Sequence, residues 1–279
     1  LKRAIGLESK QPWAAVNNMA LCMVNQGEPL EAIEWADKGL ALKAKNPEAM
    51  VSRGYACLML GRWKEGWEGY EHELHGTIRK PVQYQKEPYW DGKLGINLVV
   101  RGEQGIGDEI SFASVLPDAI KAQKSVVLEC DRRLEGLFKR SFPGIPIYGT
   151  RFDKTITWQE EHPVDASCLM GTLSRHHRNA QDEFPGTPYL IADPERRIQW
   201  RALLASLGTK PKIGIAWSGG LKSTFKGRRS IGLEDLLPIL KQDATFVSLQ
   251  YKKSQDEIDE FEEKHGIKIH HWTRATEVA

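Results

Sequence analysis

The spacing of apolar residues changes along this chain. Up to residue 75 the pattern predicts paired helices: Trp13 to Gln26, Pro29 to Ala44, Pro47 to Leu60 and Trp63 to Leu74, with Leu1 to Ser9 as the end of an earlier helix. Beyond residue 95, short apolar runs alternate with helical segments, as expected of an α/β domain. Strands are predicted at Ile96–Arg101, Ser125–Cys130 and Ile145–Tyr148, with a further short one at Lys154–Trp158. Asp165–Leu173 reads as a strand end or loop. Helices are expected from Asp108 to Gln123, interrupted or bent by Pro117, and around Arg132–Ser141, where Pro143-Gly144 stops the second. Ile198, Trp200, Leu203, Leu204 and Leu207 recur at helical spacing and predict a helix from Pro194 to Leu207. A second alternation lies beyond it: strands Lys212–Trp217, Thr245–Gln250 and Ile267–His271, helices Leu233–Lys241 and Ser254–His265.

The amino-terminal helices repeat. A shift of 34 residues aligns Ala20 with Gly54, Gly27 with Gly61, Glu31 with Glu65, Ala32 with Gly66 and Ala36 with Tyr70. Small residues recur where two helices cross closely, and a glycine recurs at the turn between them. This period resembles the tetratricopeptide repeat, whose helix pairs stack into a superhelix. Arg53 and Trp67 depart from it, standing where a small or aliphatic residue is usual. So short an array should lean on the domain downstream of it. It is either a groove for a protein or peptide partner or a packing collar for that domain.

The composition changes at residues 76–95, where Pro81, Tyr84, Pro88, Tyr89 and Trp90 suggest a connection docked by its aromatics. The expected domains are helical repeats at 1–75, this linker at 76–95, a Rossmann-like domain at 96–193, a connecting helix at 194–210 and part of a second Rossmann-like domain at 211–279. The fold class is therefore α plus α/β, with the second domain incomplete. Starting at Leu1 and stopping in mid-pattern, the chain looks cut at both ends. Its open second sheet would leave unpaired strand edges.

Each predicted Rossmann half opens with an apolar strand breaking into glycines. The first turn is Gly102-Glu103-Gln104-Gly105-Ile106-Gly107-Asp108; the second is Ser218-Gly219-Gly220 after Ile213–Trp217. Such turns bring backbone N–H groups close to a phosphate, or simply allow tight strand-to-helix packing. Two of them suggest nucleotide-fold halves facing each other across a cleft. A net charge of +2 gives no excess of basic residues for a nucleic-acid partner. Cys22, Cys57, Cys130 and Cys168 are widely spaced without a CxxC pair and read as reduced, buried thiols. No apolar run reaches the roughly 20 residues needed to span a bilayer. With no signal peptide visible, a cytoplasmic location is expected.

The string Gly102 to Ile110, with Pro117 nine positions after Asp108, resembles the amino-terminal motif of tetratricopeptide-linked glycosyltransferases. These are similar to the heptosyltransferase family and, more remotely, to O-linked N-acetylglucosamine transferases. Gly214–Gly219, then Arg228-Arg229-Ser230-Ile231 and Phe246–Gln250, is similar to the start of their carboxy-terminal domain. The resemblance implies the GT-B architecture, with the donor nucleotide sugar held mainly by the second domain and the acceptor by the first. It also implies an inverting, metal-independent transfer with no cofactor beyond the donor substrate. The family's later Ser/Thr–His–Leu-Ala-Gly segment at the diphosphate has no counterpart before the sequence ends.

Within this resemblance Asp108 matches the aspartate that takes the acceptor's hydroxyl proton. It reads equally as the cap of the following helix. Glu103 and Glu109 are weaker alternatives, Glu109 as a first-turn carboxylate complementing the helix dipole. Gln104, Gly105 and Gly107 would keep the loop close to a ligand, or only permit its turn. Arg229 is the closest positional match to the phosphate-binding basic residue, supported by Lys222, Lys226 and Arg228; the same run reads as a solvated loop. Ser218 and Gly219 would donate to the diphosphate, and Gln250 would reach the base or ribose. The acceptor would be a glycan, a lipid-linked glycan or a protein. Arg175-His176-His177-Arg178 reads as a surface loop or an acidic-acceptor contact, and His72 and His75 as surface histidines rather than a metal pair. Trp63, Trp67 and Trp90 are expected to pack the repeats against the first domain. A non-catalytic repeat scaffold is the alternative function.

Overall fold

The computed structural model describes residues 12–75, 79–219, 230–250 and 254–272. The chain divides after Ile191 into two compact units. The first opens with helices α1 (Pro12–Gln26), α2 (Pro29–Leu42), α3 (Pro47–Met59) and α4 (Trp63–Glu71), the last running on as a 3-10 turn, His72–His75. Prolines at the first turns of α2 and α3 start these helices without losing a needed N–H. Gly27 and Gly61, equivalent under the 34-residue shift, both take the left-handed conformation, φ 81° and 70°, that closes a hairpin turn. Arg53 bridges three helices, its guanidinium 3.1 Å from both Asp37 and Glu65.

The sheet of this unit is wholly parallel, in the order β3-β2-β1-β4. It comprises β1 (Asn97–Arg101), β2 (Ser125–Glu129), β3 (Ile147–Tyr148) and β4 (Ala166–Leu169). Side chains alternate across the strands, so each face has its own cover. Leu98, Val100, Val126 and Leu128 join Leu116, Ala119 and Phe138 from helices α6 (Leu116–Ala122) and α7 (Arg132–Ser141). Val99 and Val127 meet Trp158, with Tyr84 and Tyr148 packed beside it. Burial on both faces suits an all-parallel sheet.

The predicted helix from Asp108 is broken into α5 (Ile106–Phe112), a 3-10 turn at Ala113–Val115, and α6. Pro117 lies in the first turn of α6, where its missing N–H costs nothing. Lys154–Trp158 forms no strand; the 3-10 turn Trp158–Glu160 sets the indole against the sheet face instead. The outer edge of β4 is taken by the 79–95 stretch: the Trp90 N–H donates to the Ser167 carbonyl at 2.8 Å, and the Ser167 N–H to that of Pro88 at 3.2 Å. Arg175–Arg178 also differs from expectation. Thr172–His177 is a helix, α8, and Arg178 is buried at its end. Trp67 donates to the Arg178 carbonyl at 2.8 Å, and Trp63 to Gln181 at 3.1 Å, whereas Trp90 sits in the sheet core.

The second unit begins with α9 (Pro194–Ala205) and carries a parallel sheet ordered β5-β6-β7. Its strands are β5 (Lys212–Ile215), β6 (Thr245–Ser248) and β7 (Ile269–His270). The helical partners are a 3-10 turn at Leu233–Leu236 continuing into α10 (Leu237–Leu240), and α11 (Gln255–His265). Ile215, Trp217, Phe246, Ile258 and Phe261 lie in its core. All four cysteines are free thiols. No helix among the described residues is long and apolar enough to cross a membrane.

Candidate functional site

Parallel α/β sheets present ligand sites beyond the carboxyl ends of their strands, where the strand order reverses. In the first unit that place lies between β1 and β4, and the 102–108 turn occupies it. Three carboxylates, two in this turn and one just beyond it, point in three directions. Glu103 is buried against Arg79, with Nε to Oε2 2.6 Å and Nη2 to Oε1 3.1 Å, and its Oε1 also accepts from the Gly171 N–H at 2.7 Å. Glu109, fully enclosed, pairs with Arg151 and accepts from the Asp131 N–H at 2.9 Å. Burial pushes its carboxyl above the ordinary range, against the pull of that N–H and the guanidinium. Asp108 is exposed. Its Oδ2 accepts from the Gly105 N–H at 2.9 Å, so it reaches back as the third residue of α5 rather than preceding it.

Gln104 holds the bend between them. Its φ of 57° is left-handed, which a non-glycine residue adopts at a cost of about 1–3 kcal/mol. Its amide donates to the Tyr70 hydroxyl at 2.5 Å, and its carbonyl accepts from Arg151 Nη2 at 2.9 Å. Gly102 is needed here, since a Cβ would stand 2.4 Å from the Glu109 carboxyl carbon. Gly107 has open space around its would-be Cβ, and that of Gly105 would meet only Asp108 Oδ2, at 3.2 Å.

The helices clamp this turn from the other side. Arg79 stacks over the Tyr70 ring at 4.2 Å and donates to the Thr172 hydroxyl at 2.9 Å. Thr172 in turn donates to Glu71 at 2.8 Å and lies 2.7 Å from the Tyr89 hydroxyl. Arg79, Arg151, Tyr70 and Thr172 were not singled out in the sequence. Tyr70 alone left a trace, standing where the repeat has the small Ala36.

In the second unit the turn after β5 is engaged internally. Gln250 Oε1 accepts from the N–H groups of Trp217 and Ser218, both at 3.2 Å, and its amide donates to the Ser218 carbonyl. The Gly219 N–H donates to Ser230 Oγ at 3.2 Å. Lys222, Lys226, Arg228 and Arg229 lie outside the described residues. Among the described residues no group of acids, histidines or cysteines is arranged to hold a metal ion.

The described units thus define an array of helical hairpins docked on a parallel α/β sheet, and a second parallel sheet. The chain is similar to Protein FlbA of Caulobacter vibrioides (strain ATCC 19089 / CIP 103742 / CB 15), 30% identical over 276 residues, which covers 91% of this chain and 46% of FlbA. It therefore spans about half the length of that curated relative. No family model and no solved structure matches the chain.

Proposed function

We propose that the chain belongs to a tetratricopeptide-linked glycosyltransferase of GT-B type. In this reading it moves a sugar from a nucleotide-sugar donor to an acceptor hydroxyl in the cytoplasm. The reading rests chiefly on Asp108, an exposed carboxylate on a turn held from both sides, beyond the first strand of a parallel sheet. Asp108 accepts the acceptor's hydroxyl proton as that oxygen attacks the anomeric carbon. The bond from that carbon to the diphosphate breaks on the opposite side, inverting the centre. Lys222, Lys226, Arg228 and Arg229 neutralise the leaving diphosphate, so the step uses no metal.

The test uses the full-length protein with a panel of UDP-, GDP- and ADP-sugars, following nucleoside diphosphate release with and without candidate glycan acceptors. Asp108→Asn keeps an acceptor for the Gly105 N–H, so the fold should survive while turnover falls at least about 100-fold. Undiminished turnover in this variant would remove Asp108 as the base.

One observation favours the alternative, a non-catalytic interaction scaffold: the Trp217, Ser218 and Gly219 N–H groups are already satisfied by Gln250 and Ser230. Absence of any nucleotide-sugar binding, together with capture of a protein partner by the helices, would establish that reading instead.

A further inference from the structure

A cleft of about 440 Å³ opens in the first unit, where residues 184–189 pass beside α6 and the end of α8. Asp118 and Arg178 form its charged part. The Arg178 side chain is 4% exposed, and its Nη2 lies 2.6 Å from Asp118 Oδ2. The same guanidinium donates to the carbonyls of Ser114 at 3.2 Å and His177 at 2.6 Å, so it is fixed from several sides. Asp118 is 44% exposed, and its Oδ1 has no hydrogen-bond partner among the described residues. The cleft therefore presents a carboxylate oxygen oriented by its neighbour, while the charges of the pair cancel.

The lining also holds two aromatic rings, each fixed by a neighbour. Phe184 packs on Trp63 at 4.6 Å between ring centres, and the Tyr189 hydroxyl donates to the Ile110 carbonyl at 2.6 Å. Pro185 adds a rigid wall, and the exposed Thr187 places a hydroxyl at the rim. Ile110 is on α5, two residues beyond Asp108, so the cleft wall is tied to the helix that carries the candidate base.

We propose that this cleft binds a neutral, hydroxyl-rich ligand, a saccharide unit of a glycan, between Phe184 and Tyr189 and onto Asp118 and Thr187. A self-neutralised ion pair gives no net attraction to an anion or a cation. A sugar ring offers what the lining can use: a face of C–H bonds for a fixed aromatic ring and hydroxyl edges for an oriented carboxylate. The two rings are already held in place, which limits the ordering cost of binding. Only the role of this ligand as acceptor rests on the glycosyltransferase reading; the binding does not.

Saturation-transfer NMR tests this directly on the chain, with cellobiose, maltose and N,N′-diacetylchitobiose as probes and octaproline as the competing chemistry. At least one disaccharide should receive saturation, and Thr187→Trp, which fills the cleft from its exposed rim, should weaken it about tenfold without altering the melting curve. No transfer to any disaccharide, unchanged binding by Thr187→Trp, or octaproline displacing the sugar would each overturn the proposal. Its failure is separable from that of the transferase reading. Cleft-dependent sugar binding without donor turnover sinks only the enzyme. Turnover with an acceptor KM unmoved by Thr187→Trp sinks only the cleft's role as acceptor site.

Discussion

Gly69 on α4 lies so close to Gly54 on α3 that a Cβ built on Gly69 would stand 2.4 Å from the Gly54 Cα. The reverse substitution meets the Gly69 backbone at 2.7 Å. Backbone cannot swing aside as a side-chain tip can. Gly69→Ala should therefore destabilise the first unit by at least about 2 kcal/mol in urea unfolding. Gly136→Ala is the contrast. Its Cβ would meet only Arg140 at 3.6 Å, on an exposed face of α7, so it should stabilise by about 0.5–1 kcal/mol. Equal stability of the two variants would refute the close crossing.

Arg79 and Glu103 are both withdrawn from water, at 0% and 3% side-chain exposure. Removing one partner leaves the other charge buried alone. Arg79→Met or Glu103→Leu should each cost about 3–5 kcal/mol, and the double substitution clearly less than their sum. Additive losses in a denaturation cycle would mean that the pair contributes no coupling.

Asp131 caps α7, accepting from the Arg133 N–H at 3.0 Å and from its Nη2 at 2.7 Å. The Arg133 side chain, with that N–H, holds the carboxyl below the ordinary aspartate range despite the opposing effect of burial. The folded protein thus binds this proton less readily than the unfolded chain does. The stabilisation is present above the unfolded pKa and is lost as the pH falls through the folded one. Asp131→Ala should cost about 1 kcal/mol at neutral pH. The gap from the parent protein should narrow in acid, and a gap independent of pH would contradict the assignment.

Gln250→Leu would leave the buried Trp217 N–H and the half-buried Ser218 N–H without their acceptor. A loss of about 1–3 kcal/mol per unpaired group is expected, confined to the second unit. Hydrogen exchange should show faster amides at Trp217 and Ser218 while β1 and β2 keep their protection. Unchanged exchange at both amides would argue against this hydrogen-bond geometry.

Local order along the chain was legible because it depends on neighbours in sequence. Alternating apolar runs mark the parallel strands, prolines mark helix starts, and Gly27 and Gly61 mark the turns of the repeated hairpins. The turn after β1 was visible for the same reason. Which of its acids faces water was not. Glu103, Asp108 and Glu109 look alike in a string, yet Arg79, 24 positions earlier, enclosed the first, and Arg151, 42 positions later, the last. Arg178 likewise looked like part of a solvated loop until Asp118, 60 positions away, was found against it. Burial of a charge is decided by whether a distant counter-charge arrives to offset its desolvation. That encounter belongs to the tertiary structure, whereas helix and strand periodicity is written into adjacent residues.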